Sequence, residues 1–175
     1  MKLQALVDFA KEADDEVGRY RIDGMIISPE KLQFSSFCVQ ALSWQSIKYG
    51  ENDIAKVPDD RRGVYAFALC EQSTVLPPHG YVLYIGIAGR RKSKRSLRAR
   101  YKDYLDEKQV RKRSRIARMI GTWHKVLRFY FVPVEDNFSS ADLEKLEKQL
   151  NTALMPPFSE GDLEADTKKK RRAFK

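Results

Sequence analysis

The 175-residue chain predicts an α/β protein of the α+β kind: a small three-stranded antiparallel sheet flanked by helices, with a helical N-terminal extension. Three observations carry that prediction. Apolar runs at residues 64–70 and 81–87 lie on either side of a loop containing Pro77-Pro78, the pattern of a wide hairpin. A third run, residues 126–134, alternates Leu127, Phe129 and Phe131 against Arg128 and Tyr130. Around these runs, apolar residues recur at helical spacing over residues 95–105, 110–123 (Ile116, Met119, Ile120, Trp123) and 141–154.

The length suits one domain with a small extension, and an apolar fraction of 42% is enough for a core. No apolar stretch approaches a membrane-spanning length, so no membrane partner is expected. The first residues meet Asp8 too soon for a secretory signal, and Cys38 and Cys70 lie in unrelated apolar contexts. Both features predict a cytoplasmic protein with reduced thiols.

Leu3, Leu6, Val7, Ala10 and Val17 place an amphipathic helix over residues 2–17, and Gly18 stops it. Asp23-Gly24 turns a hairpin between residues 20–22 and 25–27. Val39, Leu42 and Ile47, with Trp44 nearby, predict a short helix ending near Gly50. Residues 1–60 carry no chemical motif and form an accessory extension. Residues 61–160 form the main domain, and residues 161–175 a basic tail that either keeps the chain soluble or adds affinity for phosphate.

Charge divides the chain unevenly. Residues 1–60 hold 7 Lys/Arg against 11 Asp/Glu, and residues 61–175 hold 26 against 13. Between Arg90 and Arg118 there are 14 basic and 3 acidic residues. Such a block is either a solvated helical face or the footprint of a polyphosphate, whose counterions are released on binding. Tyrosines on neighbouring strands favour the second reading. The candidate contacts are Arg90, Arg91, Lys92, Lys94, Arg95, Arg98, Arg111, Arg113 and Arg115. The run Gly89-Arg90-Arg91-Lys92-Ser93 is not a phosphate-binding loop of the Walker type, because its glycine stands too far from the lysine.

Two tripeptides frame the chemistry. Gly63-Val64-Tyr65 opens the first strand, and Tyr84-Ile85-Gly86 closes the second, its tyrosine nineteen positions after Tyr65. In the helix that follows, Leu97, Tyr101 and Tyr104 share a face, and Arg100 sits at its inward edge. Ser139 and Ser140 can cap the last helix, where Leu143, Leu146, Leu150 and Leu154 make an apolar stripe. Glu147 projects onto that stripe between Leu143 and Leu154. A carboxylate there must be paired, hydrogen-bonded or metal-bound, and a salt bridge to Arg100 or another base at the core edge is the structural alternative. The two histidines, His79 and His124, have no zinc-ligand spacing.

The order of the tripeptides, the arginine and the late glutamate resembles the GIY-YIG nuclease family over about residues 61–159. The resemblance implies a divalent-metal-dependent DNA endonuclease, with Mg²⁺ or Mn²⁺ on Glu147 and Arg100 on the phosphate. It implies that Tyr65 deprotonates or orients water, that Tyr84 positions water or phosphate, and that Tyr104 supports them. Two positions depart from the family pattern. Ser159 stands where an asparagine is common, and Ile87 where some relatives carry a lysine whose role passes to Arg90, Arg91 or Lys92 or is missing. A homodimer of restriction type is compatible with this reading. So is a non-catalytic nucleic-acid-binding module that retains the scaffold.

Overall fold

The computed structural model of the chain describes residues 29–33, 35, 37, 42–71, 79–90 and 93–159, with isolated positions at 15, 163 and 165. The predicted helix over 2–17 apart from Asp15, the hairpin over 20–27, Cys38, Arg91, Lys92 and all but two positions of the tail lie outside the described residues. Among the described residues, four strands form one antiparallel sheet: β1 (Gln45–Lys48), β2 (Gly63–Glu71), β3 (His79–Ala88) and β4 (Leu127–Pro133). Their spatial order is β1-β4-β2-β3. The multi-residue α-helices among the described residues are α1 (Leu97–Leu105), α2 (Glu107–Arg111), α3 (Ser114–Trp123) and α4 (Ser140–Leu154). No helix among the described residues is long and apolar enough to cross a membrane.

The expectation of three strands is corrected to four. The segment read as a short helix ending near Gly50 contains the edge strand β1, whose Ile47 pairs with Phe129 and is 2% exposed. A four-residue strand with one buried position leaves almost no period to read, and the spacing of Val39, Leu42 and Ile47 imitated a helix. The part of residues 1–60 around β1 is built into the sheet. Its following loop is tied to α1, because Tyr49 Oη donates to the Tyr104 carbonyl at 2.6 Å and Tyr101 Oη donates to the Gly50 carbonyl at 2.9 Å.

The sheet separates two apolar layers, as the period-2 pattern requires. Tyr65, Phe67, Phe129 and Phe131 face Leu97, Tyr101, Tyr104, Met119 and Trp123 of α1 and α3. Val64, Ala66, Ile85, Ile87 and Val132 face Leu143, Leu146 and Leu150 of α4. The helix predicted over 110–123 is two helices, because Arg113 leaves helical geometry at φ −126° and ψ 81°. That break lays its guanidinium over the Tyr104 ring, 4.4 Å from the centroid.

Caps begin the helices that flank the site. Ser96 Oγ accepts from Ala99 N at the start of α1, and Ser139 Oγ accepts from Asp142 N at the start of α4. Helix α4 ends at Met155 in the left-handed region, φ 40°, followed by Pro156-Pro157. The chain then returns along the open edge of β3. Phe158 N donates to the Leu83 carbonyl at 3.0 Å, and Ser159 Oγ accepts from Ile85 N at 3.0 Å. These bonds occupy edge groups that would otherwise seek another strand.

Candidate active site

The two tripeptides meet across the β2–β3 pair. Tyr65 is the register partner of Gly86, and the tyrosine ring lies directly over the glycine. A β-carbon at Gly86 would stand 2.5 Å from Tyr65 Oη and 2.7 Å from Cζ, so only glycine leaves room for the ring. Gly86 is therefore a packing residue within β3, and the turn out of the strand falls at Gly89, φ +93°.

A bulge in β3 aims the second tyrosine. Phe67 pairs with Tyr84 and Ala68 with Val82, which leaves Leu83 as the extra residue. Leu83 and Tyr84 both pack against the α1 side of the sheet, while Val82 and Ile85 pack against the α4 side. Without the extra residue, the strand's alternation could not place two consecutive side chains there.

Helix α1 delivers the guanidinium. Arg100 Nε donates to Tyr65 Oη at 3.0 Å, and its Nη1 donates to Asp103 Oδ2 at 3.2 Å. Tyr65 Oη and Tyr104 Oη are hydrogen-bonded to each other at 2.6 Å. Asp103 also pairs with Arg95, so one carboxylate holds two arginines at the same edge. Arg100 keeps Nη2 without a partner among the described residues, a donor available to an anion.

Helix α4 supplies the carboxylate. Glu147 is 3% exposed, as the helical projection requires. Arg90 Nη2 donates to Glu147 Oε2 at 2.5 Å. Asn151, one turn later and fully buried, donates from Nδ2 to the Glu147 carbonyl. Tyr65, Tyr84, Arg90, Arg95, Arg100 and Glu147 line a single cleft of about 380 Å³.

Of the residues expected at the site, Tyr65, Tyr84, Arg100 and Glu147 thus converge. Tyr104 stands behind Tyr65 and is fully buried. Arg90 and Arg95 reach the cleft, and Lys94 is exposed near it in sequence. Arg98 turns away: its Nε donates to the Val57 carbonyl at 2.7 Å and its Nη2 to the Ala55 carbonyl at 3.0 Å. Those bonds pin the residue 55–57 turn to α1. Arg111 pairs with Glu107 on the surface of α2, and Arg115 is exposed on α3.

Sequence reasoning missed Asp103 and the placement of Arg113 on Tyr104. An acidic residue three positions after an arginine on a helix was a usable signal for the first. Ser159, noted as a departure from the family pattern, is buried and bonded to the β3 backbone.

Burial sets the electrostatics. It pushes the Tyr65 phenol well above its ordinary value of 10.0, helped by the neighbouring Tyr104 and Tyr84 phenols, while Arg100 pulls it down by less. Burial raises Tyr84 in the same way, again with Tyr104 adding and Arg100 opposing. Both are protonated phenols near neutral pH. That state suits orienting water better than removing its proton. Burial disfavours the Arg100 charge, yet the phenols around it outweigh that and hold its pKa above the ordinary guanidinium value.

The raised phenols predict an alkaline limit to stability. Burial also lifts Tyr101 from 10.0 to about 12, with Gly50 opposing. Above pH 10 the unfolded chain releases phenolic protons that the folded chain retains, so stability falls as pH rises. The contribution is complete below pH 10, and that of Tyr101 is lost by about pH 12. Urea midpoints should be flat from about pH 8 to 10 and then fall, less steeply in Tyr101→Phe. An equal decline in that variant would remove Tyr101 from the account.

A metal ion would find a sparse donor set. Among the described residues, no three His, Cys, Asp or Glu side chains are grouped to hold one. Glu147 offers a single buried carboxylate beside an open cleft. That suits a hard cation such as Mg²⁺ or Mn²⁺, which keeps several waters and takes further oxygens from a phosphate.

The chain matches no family model, no curated protein and no solved structure.

Proposed function

We propose that the protein is a divalent-metal-dependent DNA endonuclease of the GIY-YIG kind. The observation that carries this reading is the convergence of Tyr65, Tyr84, Arg100 and Glu147, from two strands and two helices, on one cleft. Phosphodiester hydrolysis needs an oriented water and donors for the charge that develops on phosphate oxygens. Arg100 supplies such donors and is fixed by Tyr65 and Asp103 before any phosphate arrives. Tyr65 and Tyr84 present phenols that orient water and phosphate, and Tyr104 fixes Tyr65 from behind. Glu147 would hold a Mg²⁺ or Mn²⁺ ion, which when bound supplies charge neutralisation and a more acidic water. The excess of basic residues after Arg90 favours a polyanionic substrate.

The Arg90–Glu147 pair gives weight to a second reading. A guanidinium on the carboxylate is the arrangement of a binding module that keeps the scaffold and does not cut. Incubation of plasmid, linear, single-stranded and branched DNA with Mg²⁺, Mn²⁺ or EDTA separates the two. The nuclease reading expects metal-dependent cutting that EDTA stops. DNA that is retarded in a gel but intact in every condition would establish the binding module in its place.

A further inference from the structure

The ion pair between Arg90 and Glu147 joins side chains of unequal freedom. Glu147 stands on α4 with 4% of its side chain exposed, whereas the Arg90 side chain is 47% exposed. Arg90 follows the turn at Gly89, and its carbonyl accepts from Ser93 N at 3.0 Å. A carboxylate at the depth of Glu147 is kept charged by a cation against it. The guanidinium at Oε2 and a divalent cation are alternative partners for the same group. Solvent can receive the half-exposed guanidinium, while α4 holds the carboxylate. An exchange therefore moves Arg90 and leaves Glu147 in place.

We infer that Arg90 is an exchangeable counterion: it neutralises Glu147, is displaced by an arriving divalent cation, and then joins Arg95 and Arg100 on the phosphodiester. The inference rests on the nuclease reading and adds an order to it. The displaced guanidinium stays close to Glu147 and competes for it again, so the free protein holds the cation weakly. When a phosphodiester occupies the cleft, the displaced charge has a partner, and cation and substrate favour each other's binding. The arrangement keeps the buried carboxylate paired at every stage.

The test is Mn²⁺ binding to the full chain without DNA, read from the electron paramagnetic resonance of free Mn²⁺. Wild type, Arg90→Ala, Arg90→Lys and Glu147→Gln are compared. Arg90→Ala should bind Mn²⁺ about tenfold more tightly than wild type. Arg90→Lys should stay near wild type, and Glu147→Gln should lose the site. The thermal midpoint gives a second readout, because Mn²⁺ should raise it more in Arg90→Ala than in wild type.

Equal or weaker binding by Arg90→Ala, with the site still lost in Glu147→Gln, overturns the counterion role and leaves the nuclease reading intact. Arg90→Lys binding as tightly as Arg90→Ala also overturns it, since charge would not then be the determinant. Mn²⁺ bound equally by wild type and Glu147→Gln, or by none of the four proteins, overturns the counterion role, and metal-dependent cleavage then decides the nuclease reading separately.

Discussion

Glu147→Gln should lower metal-dependent cleavage by at least about 10³-fold while leaving DNA binding near the wild-type level. Glu147 is the buried carboxylate that lines the cleft, so the amide removes the anionic ligand a hard cation requires. The amide nearly matches the carboxylate in size, and the half-exposed Arg90 can turn to solvent. The stability change should therefore stay within about 1 kcal/mol, smaller than for a pair buried on both sides. The cleft-lining donors Arg95 and Arg100 are held by Asp103 and remain in place. The measurement is single-turnover cleavage beside a gel-shift titration and a thermal melt. Unchanged cleavage would remove Glu147 from the chemistry, and loss of DNA binding with an intact fold would make it a binding residue.

Gly86→Ala should be the most damaging small substitution near the site. Its new methyl would meet the Tyr65 phenol at 2.5 Å. The ring has nowhere to retreat. It packs at centroid distances of 5.7 Å from Tyr104 and 5.4 Å from Phe129, and its hydroxyl is held by Tyr104 and Arg100. Overpacking of this kind costs about 3 kcal/mol, which lowers the thermal midpoint of a domain this size by roughly 6–12 °C. Displacing Tyr65 also frees Arg100 from one of its two anchors, with an expected loss of about 10²-fold in cleavage. Thermal melts in a Tyr65→Ala background test the cause. The alanine at position 86 should then cost much less, because the opposing ring is gone. An undiminished cost would place the strain elsewhere in β3.

Much of this site is local in origin and therefore legible. Glu147 falls on the inner face of α4 because a helix repeats every 3.6 residues, and its neighbours Leu143, Leu146 and Leu150 are all buried with it. The same rule puts Arg100 at the inward edge of α1, beside Tyr101 and Tyr104. Tyr65 lies on the face opposite Val64 and Ala66 because strand alternation puts it there, and packing makes that the α1 side. The Ser139 cap and the split of charge along the chain were equally readable.

Other features arise only when distant segments meet. The bulge at Leu83 reverses the alternation that residues 81–87 show by themselves, and it is defined by pairing with β2. The edge strand β1 exists because β4, more than seventy residues later, supplies its hydrogen bonds. Arg90 reaches Glu147 across 57 positions of sequence, and no local pattern distinguishes it from the other basic residues of its block. By itself the sequence determined which residues face inward, the basic character of the second half and the candidate chemical groups, because periodicity and composition are properties of short segments. The tertiary structure alone decided which groups touch, how deeply each is buried and which cation now stands against the carboxylate. Contact and desolvation depend on segments that are remote in the chain.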